Sequence, residues 1–214
     1  MIAWSGLDAA TADAMIAEQV QRFAPLKRDF EWKLYAHDQP LDLGQRLIAA
    51  GFRPGEEEAL LVADTTELPT EIKLPDGVRL LPVTDAATMR LVVRAHEEAF
   101  AAPHPALERK LLAQLSEGPE SMAAVVAMAG DLPICAARIE FSRGTQFASL
   151  WGGGTAPAWR GRGVYRALVA YRTRLAIERG YRYLQVDAMP DSQPILSRLG
   201  FVRLGTTVPY LYDP

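Results

Sequence analysis

The sequence predicts an α/β (α+β) fold, a mixed sheet flanked by helices. Strand-like and helix-like stretches alternate along its 214 residues, the pattern of layered domains that mix both element types. A strand-like run from Phe147 to Trp151 passes through Gly152-Gly153-Gly154 and a second glycine-bearing turn into an amphipathic helix. Nearly half of the residues are apolar (49%), enough to bury one substantial core or one domain and a partial second.

Each element has a local reason. Ala9 to Phe23 reads as a helix and Phe30 to Ala36 as a strand; Leu41 to Ala50 is a short helix stopped by Gly51, a residue suited to the left-handed turn after a helix. Ala59 to Ala63 is a strand. Thr65 to Gly77 carries Pro69 and Pro75 among polar residues and reads as a linker. Val78 to Pro82 opens the next region as a strand, followed by helices over Ala86 to Phe100 and Leu107 to Leu115, with Ala101 to Pro105 breaking between them. Ala123 to Ala129 and Ile134 to Phe141 form a hairpin pair around Gly130-Asp131. Beyond the glycine-bearing turn, Val164, Ala167, Leu168, Tyr171 and Leu175 keep helical spacing, and Tyr183 to Ala188 is a strand.

The centre of the chemistry is Arg160-Gly161-Arg162-Gly163-Val164-Tyr165. A turn feeding a helix presents backbone N–H groups with no partner inside that helix, at the positive end of its dipole. Such an end is a ready site for phosphate oxygens. Gly161 and Gly163 let an anion approach without a Cβ in the way, and Arg160 and Arg162 add charge. No Gly-Lys-Ser/Thr follows, so this is not a Walker loop, and the spacing is not that of a dinucleotide fingerprint. The segment reads as a pyrophosphate cradle.

These residues resemble the signature of the GNAT superfamily of acyl-CoA-dependent N-acyltransferases, Arg/Gln-x-x-Gly-x-Gly/Ala. Arg160 and Gly163 match its first and fourth positions, and Tyr165 stands where Gly or Ala is usual. Leu199-Gly200-Phe201 matches a second feature of the family. The resemblance spans about Gly77 to Tyr212. It implies a mostly antiparallel central sheet, acetyl-CoA as the acyl-donor substrate, and direct attack of a primary amine of a small molecule or peptide on the thioester. The cofactor-binding residues it implies are Arg160, Gly161, Arg162, Gly163, Val164 and Tyr165, with Thr155 marking backbone donors for the thioester oxygen.

An alkyl amine is protonated near neutrality, so a base must take its proton. Glu140, on the strand expected beside the cradle strand, is the candidate catalytic base; His104, between Pro103 and Pro105, could line an acceptor pocket. Many members of the family supply a thiolate-protonating Tyr four residues before the Gly of Gly-Phe. Here that position is Leu196, leaving Tyr165, Tyr210 and Tyr212 as substitutes. The alternative reading is a catalytically silent acyl-CoA-binding sensor or scaffold.

A net charge of −3 argues against a nucleic-acid or membrane-surface binder. Three histidines without ligand spacing give no metal site. The single cysteine, Cys135, sits in an apolar run and reads as core filler in a reducing, cytoplasmic setting. No run reaches membrane-spanning length. The expected partners are a CoA thioester and an amine acceptor, with a homodimer left open.

An internal echo sets the domain organisation. Asp38 precedes Gly51-Phe52 at the spacing by which Asp187 precedes Gly200-Phe201, and Leu47 and Leu196 hold equal places. Residues 28 to 63 therefore read as the tail half of a decayed copy of the domain. With no glycine between Gly6 and Gly44, the first copy has no cradle. The expected division is 1–66 as a partial N-terminal unit, 67–76 as linker and 77–214 as the N-acetyltransferase domain, with one cofactor site.

Overall fold

The computed structural model describes every residue except Trp4, Arg28 and Pro119, and of Glu117 the backbone alone. The elements are α1 (Ala12–Phe23), β1 (Phe30–Tyr35), α2 (Leu43–Ala49), β2 (Arg53–Pro54), β3 (Glu58–Asp64), β4 (Val78–Pro82), α3 (Ala86–Phe100) and α4 (Leu107–Glu117). They continue as β5 (Met122–Ala129), β6 (Leu132–Phe141), β7 (Phe147–Thr155), α5 (Val164–Glu178), β8 (Tyr183–Ala188), α6 (Gln193–Leu199) and β9 (Val202–Tyr212). The chain forms two compact units. One holds Met1–Leu61, Asp187–Arg198 and Val202–Pro214; the other holds Val62–Val186 with Leu199–Phe201.

In the second unit the strands run in the order β8-β7-β6-β5-β4. Neighbours from β4 to β7 are antiparallel, and β7 meets β8 in parallel. Successive side chains on a strand point to opposite faces, and both faces of β5 are covered. Ala124, Val126 and Met128 pack with Met89, Val92 and Ala95 of α3 and Leu111 of α4. Val125 and Ala127 pack with Val164 and Leu168 of α5. Each such large aliphatic side chain contributes roughly 1.5–3 kcal/mol on burial. Helix α3 starts sharply because Asp85 accepts from the Thr88 backbone N–H at 2.8 Å in a capping box.

The first unit is discontinuous in sequence. Its strand order is β1-β9-β3, with the two-residue β2 also on β9. Antiparallel pairing runs from Phe30↔Tyr212 to Tyr35↔Thr207. Phe30, Trp32, Phe52 and Tyr210 form its core with Ile16 of α1 and Leu43 and Leu47 of α2. The sequence boundary kept everything after residue 77 in one domain; contacts place β9 with β1 instead, because nothing local in a strand's sequence names its partner.

The echo recurs in local geometry. β1-α2-β3 and β8-α6-β9 are both strand–helix–strand segments. Leu47 and Leu196 are both fully buried, and Phe52 and Phe201 are nearly so. Gly51 and Gly200 take φ of 96° and 112°, the left-handed turn that ends each helix. The copies differ at β2, which interrupts the path from α2 to β3 and has no counterpart between α6 and β9.

Candidate active site

The turn before α5 has the geometry an anion needs. Gly161 and Gly163 lie at φ 75° and 84°, where an L side chain is strained, and no side chain caps the first turn of α5. That contrasts with α3, whose first turn is closed by Asp85. The open amides of Val164 and Tyr165 thus stay available at the positive end of a four-turn helix. A groove of about 540 Å3 opens beside them, lined by Arg162, Gly163 and Arg166 and by Pro69, Pro75 and Lys73, the last paired with Glu71 at 2.9 Å, so that its unpaired cations are the two arginines among these residues. The stretch read as a linker is therefore a wall of the groove.

The cradle residues divide by role. Arg162 is exposed and stacks over the Trp159 ring at 4.8 Å, which holds a cation at the turn. Arg160 points elsewhere: its Nε donates to the Thr155 carbonyl at 3.1 Å and its Nη2 to the Ala99 carbonyl at 2.9 Å. Val164 is buried under the helix. The Tyr165 ring turns inward, and its Cε2 lies 2.8 Å from where a Cβ on Gly153 would stand.

Strand β7 extends four residues past Trp151, and it carries a bulge. Arg138 pairs with Trp151 and Ala136 with Gly154, so Gly152 and Gly153 together oppose Ala137. Gly152 takes φ 57°. A bulge leaves backbone groups out of the ladder and re-aims the strand just before Thr155. Thr155 itself rejoins the ladder opposite Cys135, with its Oγ1 3.1 Å from the Cys135 Sγ. Burial pushes the Cys135 thiol up to about 11, so it is core filler.

On the α5 face the bulge is closed. Arg172 is 1% exposed; its Nε donates to the Leu168 carbonyl at 3.0 Å and its Nη1 to the Arg138 carbonyl at 3.3 Å. Its Nη2 has no hydrogen-bond partner among the described residues and lies 3.6 Å from the Cβ position of Gly153, beside Tyr165. Burial raises the Tyr165 phenol above its ordinary value, against the pull of the Arg172 charge.

On the α3 face the bulge is half-open. Arg138 Nη1 lies 3.0 Å and His96 Nδ1 4.0 Å from the Cβ position of Gly152. Arg138 Nε donates to Glu140 Oε1 at 2.9 Å, and its guanidinium sits 5.5 Å from the centre of the Trp151 ring. Glu140, the base expected from sequence, is therefore already paired. The His96 ring sits tilted against Phe100, with centroids 4.5 Å apart, and against His104 at 4.8 Å. Burial, then the neighbouring His104 and Arg138, pull the His96 imidazole down to about 4, so it is neutral at physiological pH. His104 is exposed, its backbone N–H held by Glu97 Oε1 at 3.0 Å.

Sequence reasoning picked His104 and missed His96, Arg138 and Trp151. The signals available were the alternation of Arg138 and Glu140 on one strand face and the place of Trp151 directly before the glycines. Tyr210 and Tyr212 belong to the first unit's aromatic cluster. Among the described residues no group of three or more His, Cys, Asp or Glu side chains gathers as a metal site, and no helix is long and apolar enough to cross a membrane.

No protein-family model matches the sequence, and no curated protein matches it. Solved structures do. A GCN5-related N-acetyltransferase from Kribbella flavida aligns over 98% of this chain and 78% of its own, with a TM-score of 0.69 at 21% identity. A GCN5-related N-acetyltransferase from Sphaerobacter thermophilus covers 92% of this chain and 64% of its own, with TM-score 0.62 at 17% identity. A tandem GNAT protein from the clavulanic acid biosynthesis pathway covers 94% and 69%, with TM-score 0.61 at 14% identity. With its largely antiparallel sheet, the glycine bulge of β7 and the open turn before α5, this chain has the fold of the GCN5-related N-acetyltransferases.

Proposed function

We propose that the protein is an N-acetyltransferase that moves an acetyl group from acetyl-CoA to a primary amine. One observation carries the reading. An uncapped, twin-glycine helix N-terminus opens on a cationic groove and follows directly on a glycine-bulged strand. The first feature suits a pyrophosphate and the second a thioester carbonyl. The fit is specific to glycine, since a Cβ at Gly161 or Gly163 would impose a left-handed backbone on an L residue.

In this reading Gly163, Val164 and Tyr165 bind the pyrophosphate through their backbone, and Arg162 and Arg166 add charge. Arg160 shapes the turn from behind. The thioester supplies an acyl carbon at the level of a thiol leaving group. Around Gly152 and Gly153 the bulge amides stabilise the charge that grows on its oxygen. Neutral His96 accepts a hydrogen bond from the entering amine and passes its proton to water. Tyr165, with its ring edge against Gly153 and its hydroxyl beside Arg172, takes the place of the tyrosine that Leu196 replaces. Residues 28–63 are a partial copy without a cradle, which leaves one donor site.

Calorimetry with CoA tests the reading. The wild-type chain should bind with one-to-one stoichiometry, and Gly163→Val should lose at least tenfold in affinity while keeping its far-ultraviolet dichroism. Equal affinity in a folded Gly163→Val variant rejects this site.

A further inference from the structure

We propose that the acceptor amine carries an acidic group as well, and that Arg138 recognises it; the inference rests on the acetyl-transfer reading above. The side from which an acceptor reaches the bulge follows from what surrounds its glycines. At Gly153 the α5 face is filled by Tyr165 and the fully buried Arg172. At Gly154 a Cβ would stand 2.6 Å from Phe100 Cε2 and 2.8 Å from Ala99 Cβ, so that position is filled too. Gly152 faces the polar, half-buried Arg138 and His96, whereas Gly153 meets the Tyr165 ring edge and Gly154 the apolar, half-exposed Phe100. The acceptor therefore enters on the α3 face, across Gly152.

The charges there are unusual for a site that takes an amine. Glu140 is the carboxylate on β6 beside it, and it is paired at 2.9 Å with Arg138 Nε. Glu97, on α3, is turned to the backbone of His104. His96 is held neutral. Arg138 engages Glu140 through its Nε, and the group nearest Gly152 is the other edge of its guanidinium, with Nη1 3.0 Å from the Cβ position and the guanidinium 5.5 Å from the centre of the Trp151 ring. At Gly152 an alkylammonium or a polyamine would find Glu140 and Glu97 already engaged, by Arg138 Nε and the His104 backbone N–H, and would face the guanidinium edge. That edge attracts a molecule that brings its own negative charge, and guanidinium binds carboxylate and phosphate in a planar, two-point manner.

The step balances with the groups named. The amine lone pair forms the N–C bond, the C–S bond breaks with its electron pair on sulfur, and the amine's surplus proton finishes on the thiolate by way of solvent. The acidic group is unchanged and stays on Arg138. Acceptors of this class are amino acids, aminoalkyl acids and amino sugars or alcohols that carry a carboxylate or phosphate.

The test compares matched pairs: phenylalanine with phenethylamine, 4-aminobutyrate with butylamine, and phosphoethanolamine with ethanolamine. Acetyl transfer is followed by thiol release, and binding of each compound to the CoA-saturated chain by calorimetry. The acid-bearing member of at least one pair should show a kcat/KM at least tenfold higher, or, where transfer is slow, the tighter binding. Arg138→Gln should cut that advantage by tenfold or more, chiefly through KM, with CoA affinity retained. Acid-free amines that bind and react as well as their partners overturn the inference while leaving the transferase reading intact. An Arg138→Gln variant that slows both members equally also overturns it, and marks a role on the thioester oxygen. Failure of the wild-type chain to bind CoA is the separate result that defeats the transferase reading.

Discussion

Arg160 Nη2 donates to the Ala99 carbonyl at 2.9 Å, so the first residue of the glycine-bearing motif caps the end of helix α3. The last carbonyls of a helix have no partner inside it, and α3 ends in Ala101 at φ 52° without a glycine. The same guanidinium holds the Thr155 carbonyl. One side chain thus ties the helix, the bulged strand and the turn together. Arg160→Ala should lower stability by about 1 kcal/mol, read from urea unfolding. Arg160→Lys should recover little, because an ammonium cannot span both carbonyls as the planar fork does.

Gly154 is the position where added bulk meets backbone-anchored atoms. Gly154→Ala should destabilise by about 1–3 kcal/mol through overpacking against α3. Adding Phe100→Ala should not restore it, since the Ala99 Cβ at 2.8 Å remains in place. Thermal unfolding of the two variants decides the matter.

Tyr165 is the tyrosine that touches the bulge, against Gly153. Tyr165→Phe should leave CoA affinity within about twofold and lower kcat by tenfold or more, in the range expected for loss of a positioned acid. Tyr210→Phe, in the first unit's core, should change stability but not the acetyl-transfer rate. Stopped-flow detection of thiol release separates the two.

For His96 the sign of the acid response follows from its lowered value. Its imidazole titrates near 4 in the folded chain and near roughly 6.5 when unfolded. The unfolded chain binds more protons between these values, so stability falls as pH drops from about 6.5 to 4. The neighbouring His104 and Arg138 add to the burial that disfavours its charged form, and Glu97 works against them. His96→Gln should flatten the stability profile in that window. In kinetics His96 stays neutral above pH 5, so kcat/KM should rise with pH along the acceptor's own titration, without an imidazole step near 6.5.

Lys33 is 3% exposed and is held by Glu58 at 2.8 Å and Asp187 at 2.9 Å. Burial alone would lower its value; the two carboxylates, Asp187 foremost, keep it above the ordinary one. Lys33→Met would leave both acids without their cation and should destabilise by about 3–5 kcal/mol. Lys33→Met combined with Asp187→Leu should regain part of that, because it removes the more deeply buried acid and leaves only the partly exposed Glu58 without its cation. Denaturant midpoints of the single and double variants give the answer.

The parts of this structure legible in the sequence are those set by neighbours along the chain. Helix α3 begins where Asp85 and Thr88 make a box and ends where its apolar period stops at Phe100. The cradle was legible because two glycines and two arginines precede a helix directly. Trp151 ended the expected strand because a run of three glycines looks like a turn; the ladder continues by absorbing Gly152 as the extra residue of a bulge. His96 looked like one polar residue of an amphipathic helix. Its meaning comes from Arg138 and Gly152, which approach it only through the sheet. Glu140 lies on the expected strand, but its pairing two residues back with Arg138 depends on rotamers that spacing does not specify.

The pairing of β1 with β9 has a consequence for how the chain is made. Phe30 waits for Tyr212 and Tyr35 for Thr207, so during synthesis β1 leaves the ribosome long before its partner strand exists. The usual vectorial order, in which the earlier-made region folds first, is unavailable to the first unit. Val62–Val186, by contrast, holds its hairpins close in sequence, and local contacts form fast. The nascent chain should therefore carry Phe30 and Trp32 uncovered until β9 emerges, an interval in which a chaperone has an aromatic strand to hold. Stalled chains truncated before residue 202 should leave β1 amides exchanging freely while those of β5 and β6 are already protected.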